Sequence, residues 1–465
     1  MQKQQNSLDI LHGGLWQSIP LFAIPVAATS ILEQLSNLID TVMIGHFSAE
    51  GGALGMAAVG SNTPIASLLI NLFVGISLGA NVAVAHAVGA GEHDRASRYA
   101  HTAVSLSMLG VGVVIVMELA SEPLLRALDV PAETFADALM FLRIYCLGLP
   151  AILLYNMEAA LFRSVGIMRM PLYALAISAA LNVALDAIFV PLCGWGAGGV
   201  ALATVLCYTT IAAFLFWRLC KAEGVIGIDP RRLGIDGRCM ARIMRIGLPA
   251  GLQSAVFAVA NIVIQTCINS LGTEVVAASS AALALELVFY SLLNSFSQAC
   301  TTFVGQACGA RDYMRCRRIL KVCLIEDALV AAVMITGVIA TGRSMLGIFN
   351  GDPRVIELGY VRVCTIFPAY VFSMIYENIS GYLRGFGIST VPAVLTVLGV
   401  CGVRLFWVAF VFTRSQTFQT VMYAYPVSLG VTCLLLGGAL AAFRPAATAG
   451  KRTARKEADR MQTVC

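Results

Sequence analysis

Charge is scarce in this chain of 465 residues: Asp, Glu, Lys and Arg together supply 12% of it. A water-soluble domain carries about 25%, so an ordinary soluble fold is excluded. Polar–apolar alternation is also missing. The apolar runs are continuous, which excludes a lipid-embedded β-barrel. Histidine is limited to His12, His46, His86, His93 and His101, and these form no ligand spacing. That argues against a metalloenzyme or a membrane transferase with clustered His. The fourteen cysteines never pair as Cys-x-x-Cys. Cys300, Cys308, Cys316 and Cys323 fall at near-regular intervals, but they straddle a helix end and a basic loop, so they read as packing thiols. No cleavable leader is evident: the first thirteen residues are polar, and the apolar run after them is too long and lacks a small-residue cleavage site.

What is abundant is apolar length. Hydrophobic residues make up 58% of the chain, and the mean hydropathy is +0.81. A spanning helix takes roughly 20 apolar residues. Twelve such stretches are expected, at about 15–45, 54–85, 99–121, 134–160, 170–192, 197–218, 243–271, 275–306, 319–341, 356–382, 391–412 and 419–443. The fold class is therefore an all-α polytopic membrane protein. With both termini in the cytoplasm, 24 of the 31 basic residues fall on the cytoplasmic side. The exceptions are Arg126, Arg143, Arg343, Arg354, Arg362, Arg404 and Arg414. This asymmetry orients the chain. The net charge of +5 is thus a topology signal and not a sign of nucleic acid. The tail Lys451-Arg452-Thr453-Ala454-Arg455-Lys456 reads as a lipid-headgroup contact.

The chain also copies itself at an offset of about 220 residues. Leu161-Phe162-Arg163-Ser164-Val165-Gly166, with Pro171 beyond it, recurs as Tyr382-Leu383-Arg384-Gly385-Phe386-Gly387, with Pro392 at the same spacing. Ala87-Val88-Gly89-Ala90-Gly91-Glu92 returns as Ala307-Cys308-Gly309-Ala310-Arg311-Asp312. Internal repeats in a membrane chain mark transporters. Six spans per half make the repeats parallel. The expected division is an N-terminal lobe (1–222), a cytoplasmic linker (223–242), a C-terminal lobe (243–443) and a basic cytoplasmic tail (444–465). One formal match is rejected. Gly194-Trp195-Gly196-Ala197-Gly198-Gly199 satisfies a dinucleotide fingerprint, but it sits in a short hairpin with no strand before it.

Acids inside apolar spans are where chemistry is to be sought, since a charge at the bilayer centre costs ~2.5–3.5 kcal/mol on insertion scales. Glu33, Asn37 and Asp40 share one face of the first span. Asn182 and Asp186 lie one turn apart on the fifth, and Thr204 offers a hydroxyl on the sixth. Two carboxylates, an amide oxygen and a hydroxyl suit a hard cation such as Na+. The same pair of acids is equally suited to sharing a proton.

At these residues the chain resembles the multidrug and toxic compound extrusion (MATE) family, from about Trp16 to Phe443. The carrying pieces are Gln34 through Asp40-Thr41-Val42-Met43-Ile44-Gly45-His46, the Val88-to-Gly91 turn, and Arg163 to Pro171. They continue with Asn182-x-x-x-Asp186, Gly194 to Thr204, and Val304-Gly305-Gln306-x-x-Gly309-Ala310. The resemblance implies two six-helix lobes forming a V-shaped cleft, and an antiporter that exports cationic or amphipathic compounds in exchange for H+ or Na+. It further implies a coupling-cation site at Asp40, Asn182, Asp186 and Thr204, no cofactor and no other metal. Pro25 matches a proline at which the family's first helix bends, and a Pro within a spanning helix does free a carbonyl and permit a kink. Gln34, Asn37 and Glu286 are candidates for lining the cavity, although Glu286 is as well suited to joining two helices.

The chain departs from those relatives that carry acids on helices seven and ten. Pro249 to Leu271 holds no acid, and the matching tenth-helix position is Ser373. The expected partners are small molecules and the bilayer, with no nucleic acid, and the chain is expected to act as a monomer in the cytoplasmic membrane. A flippase for a lipid-linked saccharide is the alternative. It calls for basic residues in its cavity, for which Arg143, Arg362 and Arg404 are the candidates. Seventeen Met and thirteen Tyr are spread throughout, so they name no substrate.

Overall fold

The computed structural model describes residues 8–47, 52–128, 130–349 and 351–450. The basic tail at 451–456 lies outside them. Among the described residues there is no strand; the chain is a succession of helices. The first four are α1 (Leu15–Phe47), α2 (Gly52–Gly89), α3 (His93–Leu106) and α4 (Leu109–Ala127). After these come α5 (Ala132–Leu147), α6 (Leu149–Ser164), α7 (Arg169–Phe189) and α8 (Gly196–Cys220). Beyond a 3-10 turn at Pro230–Arg232 follow α9 (Gly237–Asn269), α10 (Thr273–Gly309), α11 (Tyr313–Phe349) and α12 (Pro353–Gly385). Short α13 (Thr390–Thr396) and α14 (Val403–Trp407) are joined and followed by π-helical segments at Val397–Gly402 and Val408–Phe412. The last helix is α15 (Phe418–Phe443).

Among the described residues eleven stretches are long and apolar enough to cross a membrane, and the pair α5–α6, bent by 45°, makes up to twelve when counted as one span. The bend has a local cause. Gly148 lies where a Cβ would come within 2.6 Å of Val205, and Pro150 occupies the first turn of α6, where its missing N–H costs nothing. Large apolar side chains such as Leu119 (78% exposed), Val333 (72%) and Leu434 (78%) face outward, as lipid contact requires.

The repeat is visible in the backbone. Gly91 (φ 72°) and its counterpart Arg311 (φ 61°) are both left-handed. The next residues close the same turn, Glu92 N to Ala87 O and Asp312 N to Ala307 O, each at 2.9 Å. Gly166 (φ 83°) and Gly387 (φ 79°) end α6 and α12 alike, with Ile167 N bonded to Phe162 O and Ile388 N to Leu383 O. Gly194 and Gly196 also have positive φ, which accounts for the glycines of the α7–α8 hairpin without any dinucleotide. The thirteen described cysteines are free thiols.

The helices form two compact units. One comprises Leu8, Ala28–Val88 and Glu92–Gly251; the other comprises Asp9–Ala27, Gly89–Gly91 and the described chain from Leu252 onward. The break in α1 falls two residues after Pro25. Within the first unit, α2 and α9 touch backbone to backbone. A Cβ on Gly75 would lie 2.1 Å from Gly251 N, one on Gly79 2.2 Å from Ile243 O, and one on Gly247 2.7 Å from Ile76 Cα. Each helix thus offers two glycines four residues apart, the small-residue spacing that lets membrane helices approach closely. The segment between α8 and α9 belongs to the same unit. Ile226 and Ile228 are buried, Asp229 N donates to His101 Nε2 at 3.0 Å, and Asp236 N donates to Thr102 Oγ1 at 3.3 Å.

Two outcomes follow from this packing. Gly79→Ala forces a methyl group against the α9 backbone and is expected to destabilise by about 1–3 kcal/mol. Gly112→Ala, with nothing within 4 Å of the added carbon, is expected to leave the thermal transition in detergent unchanged or raised. Equal transitions for both variants would remove the close approach as a packing constraint. At the start of α9, Asp236 accepts from Arg238 N at 2.8 Å and Cys239 N at 3.1 Å, and these backbone bonds hold its carboxyl below the ordinary value. The cap's contribution is therefore fully present above the ordinary carboxylate value of about 3.9 and is lost as pH falls from there through the lower value of the folded state. Asp236→Ala is expected to melt earlier than wild type at pH 7, with the gap closing in acid scans.

Candidate functional site

Three helices of the first unit turn one face each toward a shared pocket. From α1 come Glu33, Ser36, Asn37 and Asp40; from α7 Leu175, Ser178, Ala179 and Asn182; from α8 Thr204, Cys207, Tyr208 and Ile211. Within each helix these positions recur every three or four residues, the spacing that keeps them on one face. The space between these faces, which is open to its surroundings, amounts to about 380 Å³.

Its polar end is acidic. Asp40 is 9% exposed, Asn182 5% and Asp186 0%. Thr204 Oγ1 donates to Asp40 Oδ2 at 3.4 Å. Asp186 lies beside Asp40. Among the described residues, no donor reaches Asp40 Oδ1 or either carboxyl oxygen of Asp186, and Asn182 Nδ2 has no acceptor. No ion pair engages either acid among those residues. Two buried carboxyls with no cation beside them are costly as a doubly ionised pair, so the arrangement suits a bound proton or a small cation. At the other end Tyr155, from α6, donates to Glu33 Oε1 at 3.3 Å and packs edge-on against Tyr208.

Of the residues expected from sequence, Asp40, Asn182 and Thr204 line the pocket together with Asn37, and Asp186 adjoins Asp40. Gln34 is exposed and lies outside the lining. Pro25 belongs to the part of α1 that packs in the second unit. Glu286 also lies in that unit, where it bridges α10 to α12: Arg362 Nε donates to its Oε1 at 2.6 Å and Nη2 to its Oε2 at 3.0 Å. Sequence reasoning did not single out Ser178, Cys207 or Tyr208. Their signal was their spacing, since Ser178 precedes Asn182 by one turn and Tyr208 follows Thr204 by one.

The MatE family model matches residues 25–188 and 249–409, one stretch in each half. The chain is 24% identical over 436 residues to the "Probable multidrug resistance protein YoeA" of Bacillus subtilis, covering 91% of this chain and 93% of that protein. It is also 24% identical over 400 residues to the "Probable multidrug resistance protein NorM" of Thermotoga maritima, with 84% of each chain covered. Among solved structures, a crystal structure of MATE in the straight conformation superposes with a TM-score of 0.86 at 21% identity, over 95% of this chain and 98% of that one. Two matched halves, the repeated turns and the helical fold converge on one conclusion: the chain is a multi-pass membrane transporter and belongs to the MatE family.

Proposed function

We propose that this protein is a secondary antiporter that exports cationic or amphipathic small molecules, drugs among them, in exchange for H+ or Na+ by alternating access. The observation that carries the reading is the pair of buried carboxyls, Asp40, which lines the pocket, and Asp186 beside it, neither with a cationic partner among the described residues. The multidrug resistance proteins among its relatives support the substrate class.

The mechanism is a competition of differential affinities. A cation and a substrate exchange when each favours a different conformation, and neither drives a change it does not bind selectively. The coupling ion neutralises Asp40 and Asp186, with Asn182 and Thr204 supplying further oxygens. Neutralisation removes the repulsion between the two carboxyls, and α1 repacks about Pro25 and narrows the substrate cavity. Each positive charge driven inward through 100 mV supplies ~2.3 kcal/mol, nearly two decades of substrate gradient. The basic loops support cytoplasmic termini and insertion in the inner membrane, and the chain is proposed to work as a monomer. A carrier of lipid-linked saccharide calls for a basic pocket, whereas the pocket of the first unit is acidic.

Everted vesicles loaded by an imposed pH gradient or, separately, by a sodium gradient provide the test. Uptake of a fluorescent cation is expected under one gradient in the wild type and is expected to vanish in Asp40→Asn, whose side chain keeps the shape but cannot cycle its charge. Uptake by Asp40→Asn at the wild-type rate and with the wild-type ion dependence would sink the proposal. Thr204→Val removes one oxygen from the ion's surroundings. A hydrogen bond to a charged group contributes about 1.5–3 kcal/mol, so half-saturation by the coupling ion is expected to rise at least about tenfold while the maximal rate changes little.

A further inference from the structure

The second unit carries buried charges that do not cancel. Arg362 on α12 is 1% exposed and holds Glu286 with two parallel bonds, while its Nη1 donates to the Ser279 hydroxyl. Both oxygens of that carboxylate are taken. Arg404, on α14, is 2% exposed, yet its acceptors are neutral. Its Nη1 donates to Asn261 Oδ1 at 2.6 Å and its Nε to Ser428 Oγ at 3.2 Å. The guanidinium lies 4.4 Å from the centre of the Tyr425 ring and 5.2 Å from that of Phe257. Tyr425 is also 5.5 Å from Arg362, so one ring serves two cations. Among the described residues no carboxylate stands within ion-pair distance of Arg404.

A buried acid can take up a proton and lose its charge, but a guanidinium keeps its charge at every accessible pH. Arginine has about five N–H donors, and two bonds to neutral oxygens leave the Nη2 group without an acceptor among the described residues. Ring faces ease the burial of the charge without neutralising it. A second, separate observation concerns the backbone. Arg404 sits between two π-helical segments, Val397–Gly402 and Val408–Phe412. Such widened turns are rare, interrupt the regular ladder and lie frequently at functional sites.

We propose that Arg404, with Asn261, Ser428 and Tyr425, forms an oxyanion site that receives the carboxylate or phosphate of an amphipathic ligand. The planar guanidinium fork matches either group. Two sources share this chemistry: a zwitterionic compound on its way out and the headgroup of an anionic lipid. The site widens the substrate class proposed above from cations to zwitterions and rests on that reading for transport, but its binding step needs no gradient.

The test is equilibrium binding to the purified full chain in detergent, followed by fluorescence anisotropy. The probes are rhodamine 110, which bears a free carboxylate, and rhodamine 123, its methyl ester. Arg404→Gln is expected to weaken rhodamine 110 binding by at least about tenfold, the scale of one charge-assisted pair, and to change rhodamine 123 binding by less than about twofold. Arg404→Lys is expected to recover part of the loss. A variant-free arm uses the wild type alone, in which benzoate is expected to displace rhodamine 110 and neutral benzamide to fail. Equal displacement by the two, failure of the wild type to bind rhodamine 110, or a parallel loss of both dyes in Arg404→Gln overturns the proposal. In phosphatidylcholine nanodiscs, a fall in rhodamine 110 affinity on adding phosphatidylglycerol assigns the site to lipid phosphate, and unchanged affinity assigns it to the exported compound. No ion gradient enters these measurements, so failed antiport and a failed anion site are separately visible.

Discussion

An ionised side chain enclosed by apolar helices has lost its water, and what replaces that water decides what the side chain can do. The two units answer this constraint differently. In the first, Asp40 and Asp186 meet no cation among the described residues; one hydroxyl reaches Asp40, and the two acids lie beside each other. In the role proposed for them, such acids become neutral by taking a proton or a small cation, and their charge is a variable. In the second, Glu286 is locked to Arg362 by two bonds, and its charge is a fixture of the α10–α12 contact. Arg404 is a third case, a permanent charge among neutral acceptors.

The variable charges need a stable frame. Because lipid is as apolar as a leucine side chain, membrane helices gain little from hydrophobic burial against one another and rely on close packing. The Gly75–Gly79 and Gly247–Gly251 pairs bring the α2 and α9 backbones into contact. The segment between α8 and α9 is fastened to α3 through His101 and Thr102. The pocket is therefore built from three helix faces in a unit that combines a large apolar core with the glycine-mediated approach of α2 to α9.

Much of this was legible in sequence because it depends on local chemistry. Long uncharged runs force helices, since each helix satisfies its own backbone. The duplicated turn at Gly91 and Arg311 was readable from the matching residues, and the backbone adopts the same left-handed conformation at both. The acidic face of α1 and the Asn182–Asp186 turn were readable from spacing. Which helices would meet was not readable from spacing; only the family resemblance implied it. Nothing in the chain order announces that Thr204 would donate to Asp40 across 164 positions. Likewise Glu286 reads as a cavity acid or a helix-joining acid until its partner is known, and the π-helical flanks of Arg404 leave no periodic trace.

By itself, then, the sequence determined the class of molecule, its many apolar spans, the internal repeat and the acids that lie within those spans. These follow from hydration cost and helical periodicity, which act within a span or a turn. Only the tertiary structure decided which acids stay unpaired, which is neutralised by Arg362, and which Arg is left without a counter-charge. Those outcomes depend on distances between residues far apart in the chain, and electrostatics in an apolar interior is governed by the nearest neighbour in space.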